Sequence, residues 1–171
     1  ALGEPSGDDA IKARDTFVAA GGEAASLATW AALPPAEVLV DAIYGTGLNR
    51  APDGEARQAI EAMNAYGAPI LALDLPSGLS ADTGATPGVA IRAAATATFI
   101  VHKRGLHTFH CEVAGDIVLH TLGLPDALFG SPDSHLLLPG HLPPRPRESN
   151  KGTNGHVLAI GGDHGTGGAV R

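Results

Sequence analysis

Two carboxylates stand where a parallel sheet would do its chemistry. Asp41 lies in the run EVLVDAI (37–43), which is otherwise apolar, and Asp74 lies in PILALDLPSG (69–78), a second apolar run that ends in a turn. In open α/β sheets ligands collect at the carboxyl ends of the strands, because loop amides and helix N-termini converge there. A carboxylate inside a strand of Val, Leu, Ala and Ile must be paired or must bind a cation, and no Lys or Arg stands near Asp41 in its run. A metal or a donor from elsewhere in the chain is therefore expected at Asp41. Beside Asp74, Pro76 and Gly78 force the chain out of the sheet and Ser77 offers a hydroxyl. The pair reads either as part of a ligand site at the strand end or as an Asx-type turn made by Asp74 and Ser77.

The turn after the first run, GTGLNRA (45–51), begins as dinucleotide-binding turns do, but Arg50 stands where their third glycine belongs. A lone Gly-X-Gly is more often a tight turn than a phosphate cradle. GDHGTGG (162–168) has the glycine spacing of a P-loop, with Gly168 in place of its lysine, so neither stretch is a Walker motif. His107 and His110 could make a metal pair, yet no further ligands cluster with them and zinc is disfavoured. Lys103 reads as a phosphate ligand or as a solvated strand-end cation, the second being favoured.

The elements that must position these residues follow from periodicity. Residues 8–20 have helical spacing behind Asp8 and Asp9, which suit a helix N-terminus. Residues 37–43 read as a strand, 54–66 as an amphipathic helix ending at Gly67, 69–78 as a buried strand that ends in a turn, 95–102 as a third strand and 116–123 as a fourth. Strand, helix, strand at this spacing is the βαβ unit of an open parallel sheet with flanking helices, a Rossmann-like α/β arrangement.

Composition agrees. The chain has 171 residues, 44% hydrophobic, with a mean hydropathy of +0.09. That suffices for one core and the beginning of a second. Only 4% is aromatic, while 23 glycines and 13 prolines supply turns between small aliphatic strands, as suits a parallel sheet. A net charge of −7 argues against nucleic acid or an anionic membrane as partner. A single cysteine, Cys111, rules out an intramolecular disulfide framework and fits a reducing cytoplasm.

The chain's end does not belong with the first sheet. HLPPRPRESNKG (141–152) reads as a linker or an extended crossing segment, and GHVLAIGGDHGTGGAVR after it as one strand, a glycine loop and the first residues of a helix. A unit begun and not completed cannot bury its faces, and the first residue is Ala1, so a piece cut at both ends from a longer protein is expected. The domains expected are 1–131 and 132–171.

Taken in order, VDAIYGTGLNRAPDGE, GAPILALDLPSGLSADTGATPGVAIRAAATATF, HKRGL and AGDIVLHTLGLP resemble the NAD(P)H-hydrate epimerase family over about residues 5–125. NKGTNGHVLAIGGDHGTGGAV resembles the opening of the ADP-dependent NAD(P)H-hydrate dehydratase domain, a ribokinase-like fold that in bacteria often follows the epimerase on one chain. The resemblance implies part of a bifunctional repair enzyme acting on hydrated NADH and NADPH. It places potassium ligands at Asp41 and Ser77, and Asp74 against the damaged cofactor as the acid–base candidate. It wraps the dinucleotide with Gly45, Thr46, Gly47, Leu48, Asn49, Arg50 and Ala51, and makes Ala169 a substrate contact in the dehydratase part, whose ADP site would lie beyond residue 171. It leaves open a homo-oligomer.

Two departures stand out. The family's upstream Asn-Asn-Gly-Gly-Asp loop has no counterpart here, and Asn150 replaces the histidine that usually precedes Lys-Gly in the dehydratases. A non-catalytic dinucleotide-binding or interaction module is the alternative reading. An ordinary Rossmann dehydrogenase is disfavoured by the absent third glycine and by the lack of an acidic residue at the expected distance from Gly45.

Overall fold

The computed structural model describes residues 5, 7–25, 35–137, 144, 146–150, 152–153, 155–156 and 158. The chain divides into two units, 1–136 and 137–171. Within the first, α1 (Asp8–Ala19) precedes β1 (Leu39–Asp41), α2 (Gly54–Ala65), β2 (Ile70–Leu73), β3 (Ala95–Phe99) and β4 (Asp116–His120). The four strands form one sheet in the order β1-β2-β3-β4, every neighbouring pair parallel. The expected α/β sheet is present, and its strands are shorter than their apolar runs. β2 and β3 end short of their runs because the chain turns out of the sheet at Asp74 and Ile100, both at φ +70°.

One face of the sheet carries the core. Leu39, Ile70 and Ala72 project onto Ile60 and Met63 of α2, and Ile91 and Ala93 close the cluster. Those helix residues recur at the three-residue spacing that makes one apolar stripe. A second cluster, Leu75, Leu79, Leu106 and Ala114, lies under the long β2–β3 connection and the 3₁₀ turns at Arg104–His107 and Cys111–Ala114. The opposite face differs from expectation. The apolar run 37–43 suggests a strand buried on both faces, but Val38 and Val40 are exposed while Leu39 and Asp41 are buried. Among the described residues only one side of β1 is covered by a helix, so its burial alternates instead of running through. α1 forms where predicted, with Asp8 and Asp9 in its first turn, and buries none of its side chains.

Only the first crossover contains an α-helix. The β2–β3 connection stays irregular, and its backbone groups are satisfied within itself and by a neighbouring turn: Ser80 N–H to the Ala85 carbonyl at 2.9 Å, Ile91 N–H to the Ser77 carbonyl at 2.8 Å, and the Ala81 carbonyl accepting from Gly105 N–H at 2.6 Å. A connection of this length without helix or strand is uncommon in a compact domain and usually functional. None of the described helices is long and apolar enough to cross a membrane.

Candidate functional site

Asp41 is the last residue of β1 and pairs in register with Ala72 of β2. Two residues past Ala72 is Asp74, so both carboxylates reach the carboxyl edge of the sheet side by side. Asp41 is 1% exposed and Ser77 is fully buried. The Ser77 hydroxyl donates to Asp41 Oδ1 at 2.6 Å, its backbone N–H donates to Oδ2 at 2.7 Å, and Ile43 N–H donates to Oδ1 at 3.2 Å. Tyr44 N–H in turn donates to the Ser77 hydroxyl oxygen at 2.9 Å. The donor expected from elsewhere in the chain is therefore the DLPSG turn itself. These bonds stitch the turn after β1 to the turn after β2. The Asx-type turn between Asp74 and Ser77 does not form, because Pro76 has no N–H to give and Ser77 commits both its N–H and its hydroxyl proton to Asp41.

No ion pair to Asp41 occurs among the described residues, so its negative charge is desolvated and held by hydrogen bonds alone. Burial without a counter-charge is costly. The surrounding oxygens, the carboxylate, the Ser77 hydroxyl and the Tyr44 carbonyl 3.4 Å from that hydroxyl, are hard donors that suit an alkali or alkaline-earth cation. No group of three or more His, Cys, Asp or Glu side chains that could hold a metal occurs among the described residues. His107 meets His102, Nε2 to Nδ1 at 3.0 Å, and His110 meets Glu112 at 3.4 Å. His107 and His110, the possible metal pair, thus point to different partners, since His107 closes one 3₁₀ turn and the chain bends through 108–110 before the next.

Asp74 is built differently. Its backbone is left-handed, φ +70°, and Leu75 N–H closes back to the Leu73 carbonyl at 2.9 Å. This is the strained form of γ-turn, worth on the order of 1–3 kcal/mol, and such strain concentrates at functional positions. Asp74 N–H still bonds the Ala97 carbonyl at 2.7 Å, continuing the sheet one residue beyond β2. Its Oδ1 takes an ion pair from Lys103 and a long bond from Phe99 N–H at 3.4 Å. The side chain is 25% exposed. Oδ2 has no hydrogen-bond partner among the described residues and faces Gly45, where a Cβ would stand 3.2 Å from it. Glycine there lets the loop come down onto the carboxylate.

Of the sequence-derived residues, the structure brings Asp41, Ser77, Gly45 and Asp74 together. Thr46, Gly47, Leu48, Asn49 and Arg50 continue away on a mostly exposed loop, Arg50 lying 3.6 Å from Asp53 just ahead of α2. Ala51 rests against Gly88 of the long connection. Ala169 lies outside the described residues, as does the glycine loop at 162–168. Lys103 is a correction: neither solvated nor free for phosphate, it is 13% exposed and bonded to Asp74, to Thr98 Oγ1 at 3.0 Å and to the Phe99 carbonyl at 2.7 Å. Sequence spacing could not reveal this, because the partners are 29 residues apart. The only sequence sign was a cation just past the end of a strand.

A family described as YjeF-related protein N-terminus matches residues 3–105. The bifunctional NAD(P)H-hydrate repair enzyme Nnr of Escherichia coli (strain K12) is 43% identical over 175 residues, which cover 98% of this chain and 34% of that protein. The protein of the same name from Coxiella burnetii is also 43% identical, over 79% of this chain and 29% of the relative. A bifunctional NAD(P)H-hydrate repair enzyme from Leishmania braziliensis is 34% identical over 78% of this chain and 26% of the relative. The chain thus spans about a third of the length of these relatives or less. With residues 3–105 matched, the chain belongs to the YjeF-related protein N-terminus family.

Proposed function

We propose that the chain carries the epimerase site of a nicotinamide-hydrate repair enzyme, interconverting the R and S forms of hydrated NADH and NADPH. The observation that carries the proposal is Asp74: a strand-end carboxylate in a strained turn, one oxygen anchored and the other, unpartnered among the described residues, beneath the Gly45 loop. Relatives named for NAD(P)H-hydrate repair support the substrate class.

Hydration adds water across a ring double bond and leaves a hydroxyl on a new stereocentre. Inversion requires that hydroxyl to leave and return on the other face, or the ring to open and close. In the first route, a proton delivered to the hydroxyl releases water and leaves a cationic ring, and re-addition of water returns the proton, so no atom is gained or lost. The carboxyl group of Asp74 is placed to give and take that proton, and its ionised form stabilises the positive ring. Residues 45–51 are assigned to the dinucleotide. Asp41 and Ser77, with the Tyr44 carbonyl, would hold a potassium ion, which would offset phosphate charge. We assign residues 1–131 to this epimerase part, and 132–171 to a linker and the opening of an ADP-dependent dehydratase.

The test is direct. Purified protein carrying this chain, given pure (R)-NADH hydrate, is expected to speed formation of the S epimer well beyond the spontaneous rate, as followed by chiral chromatography. Saturable binding of the hydrate without any acceleration would leave a non-catalytic binding module as the better reading.

A further inference from the structure

The carboxyl ends of β2 and β3 turn in the same strained way. Ile100, like Asp74, has φ +70°, and Val101 N–H closes back to the Phe99 carbonyl at 2.8 Å just as Leu75 N–H closes to Leu73. A β-branched residue is an outlier in this region. Isoleucine has no local reason to tolerate it. The second turn reverses the chain leaving β3, and Gly105 seats the returning segment against residues 80 and 81, where a Cβ would collide with the Ser80 carbonyl oxygen. Lys103 is thereby brought back over the end of its own strand.

The ammonium has three protons and three acceptors: Asp74 Oδ1, Thr98 Oγ1 and the Phe99 carbonyl. None is left for a ligand phosphate. With Oδ1 taken by Lys103, and by Phe99 N–H at 3.4 Å, the carboxylate plane is fixed and only Oδ2 faces the Gly45 loop. We propose that Lys103 is a positioning residue for Asp74, which reserves Oδ1 so that proton transfer to and from the substrate runs through Oδ2 alone. The inference rests on the reading of Asp74 as the proton-transfer group.

The experiment compares unaltered protein with Lys103→Met, Lys103→Arg, Asp74→Asn and the Asp74→Asn/Lys103→Met double variant, using (R)-NADH hydrate for turnover and calorimetric binding. Lys103→Met is expected to lower kcat about 10²-fold, the scale of a misplaced catalytic group, with little change in the Kd of the hydrate. Lys103→Arg should recover part of the rate. In the double variant, Lys103→Met should add no further loss, because its action passes through Asp74. Should Lys103→Met not fold, Thr98→Val, which removes one of the three acceptors at constant shape, is expected to lower kcat with Kd unchanged. A Kd weakened about tenfold with kcat intact would overturn the positioning role in favour of ligand binding, and so would losses that simply multiply in the double variant. Turnover insensitive to both Lys103→Met and Thr98→Val also overturns it, while no turnover by unaltered protein removes the epimerase reading and this inference with it.

Discussion

Asp41 and Asp74 end neighbouring strands two rungs apart, yet one is sealed and the other is poised. Asp41 is buried under three hydrogen bonds from Ser77 and Ile43, with regular strand geometry and no positive partner among the described residues. Asp74 is a quarter exposed, sits in a strained turn, has a cationic partner, and keeps one oxygen without a hydrogen-bond partner among the described residues. The contrast separates two uses of the same side chain. A carboxylate whose oxygens are both committed can organise backbone or hold a cation. One with a single committed oxygen and solvent access can exchange protons.

The largest effect expected concerns the poised group. Asp74→Asn should lower epimerisation about 10²–10⁴-fold, the usual cost of one positioned proton-transfer group, while leaving the fold intact, since asparagine tolerates left-handed backbone nearly as well. Unchanged turnover of the purified R epimer in this variant would erase the distinction drawn here. Next comes the sealed group, where Asp41→Ala strands the Ser77 and Ile43 amides. It should cost about 2–4 kcal/mol of stability, the range for unsatisfied buried donors beside a lost charge, measured by denaturant unfolding. If Asp41 also holds potassium, unaltered protein melts higher in potassium chloride than in sodium chloride and the variant does not. A potassium effect that survives Asp41→Ala would move the ion elsewhere.

Smaller still is Gly45→Ala, whose added methyl presses on Asp74 Oδ2 at 3.2 Å. About a tenfold fall in kcat/KM is expected, the cost of modest misplacement, with thermal stability preserved; stability and rate falling together would mean the loop matters to the fold and not to the poised oxygen. The smallest effect is a pH dependence on the Lys103 side. Burial first, and the charge of His102 second, hold the His107 ring below its usual 6.5. The unfolded chain therefore takes up its proton at higher pH than the folded one, so stability is kept above pH 6.5 and declines as pH falls further. His107→Gln should flatten that acid limb in thermal melts, and Asp41→Ala should not.

Much of this was legible beforehand. Every described strand and both α-helices lie within the segments that periodicity marked, because Val, Ile and Leu runs bounded by Gly and Pro leave few other readings. Asp41 could be picked out for the same reason: a charge in an apolar run is conspicuous. What escaped was long-range and geometric. Nothing local in VHKRG says that Lys103 folds back onto Asp74, since this depends on a left-handed isoleucine that propensity argues against. The even exposure of α1 and of Val40 was equally hidden. An apolar pattern tells which side of an element could be covered, and not whether a neighbour covers it.

Strand order equals chain order in this sheet, and that carries a consequence for how the site comes into being during synthesis. Each strand leaving the ribosome finds its neighbour already made, so the sheet can lengthen from β1 outward without waiting for distant sequence. Ser77 emerges before Lys103, and the bonds that neutralise the polar demands of Asp41 therefore become available while Asp74 still lacks its cation. The nascent domain would tie down Asp41 first and anchor Asp74 last, so that a chain stalled between residues 77 and 103 would hold the Ser77–Asp41 bonds while Asp74 still lacked its ion pair.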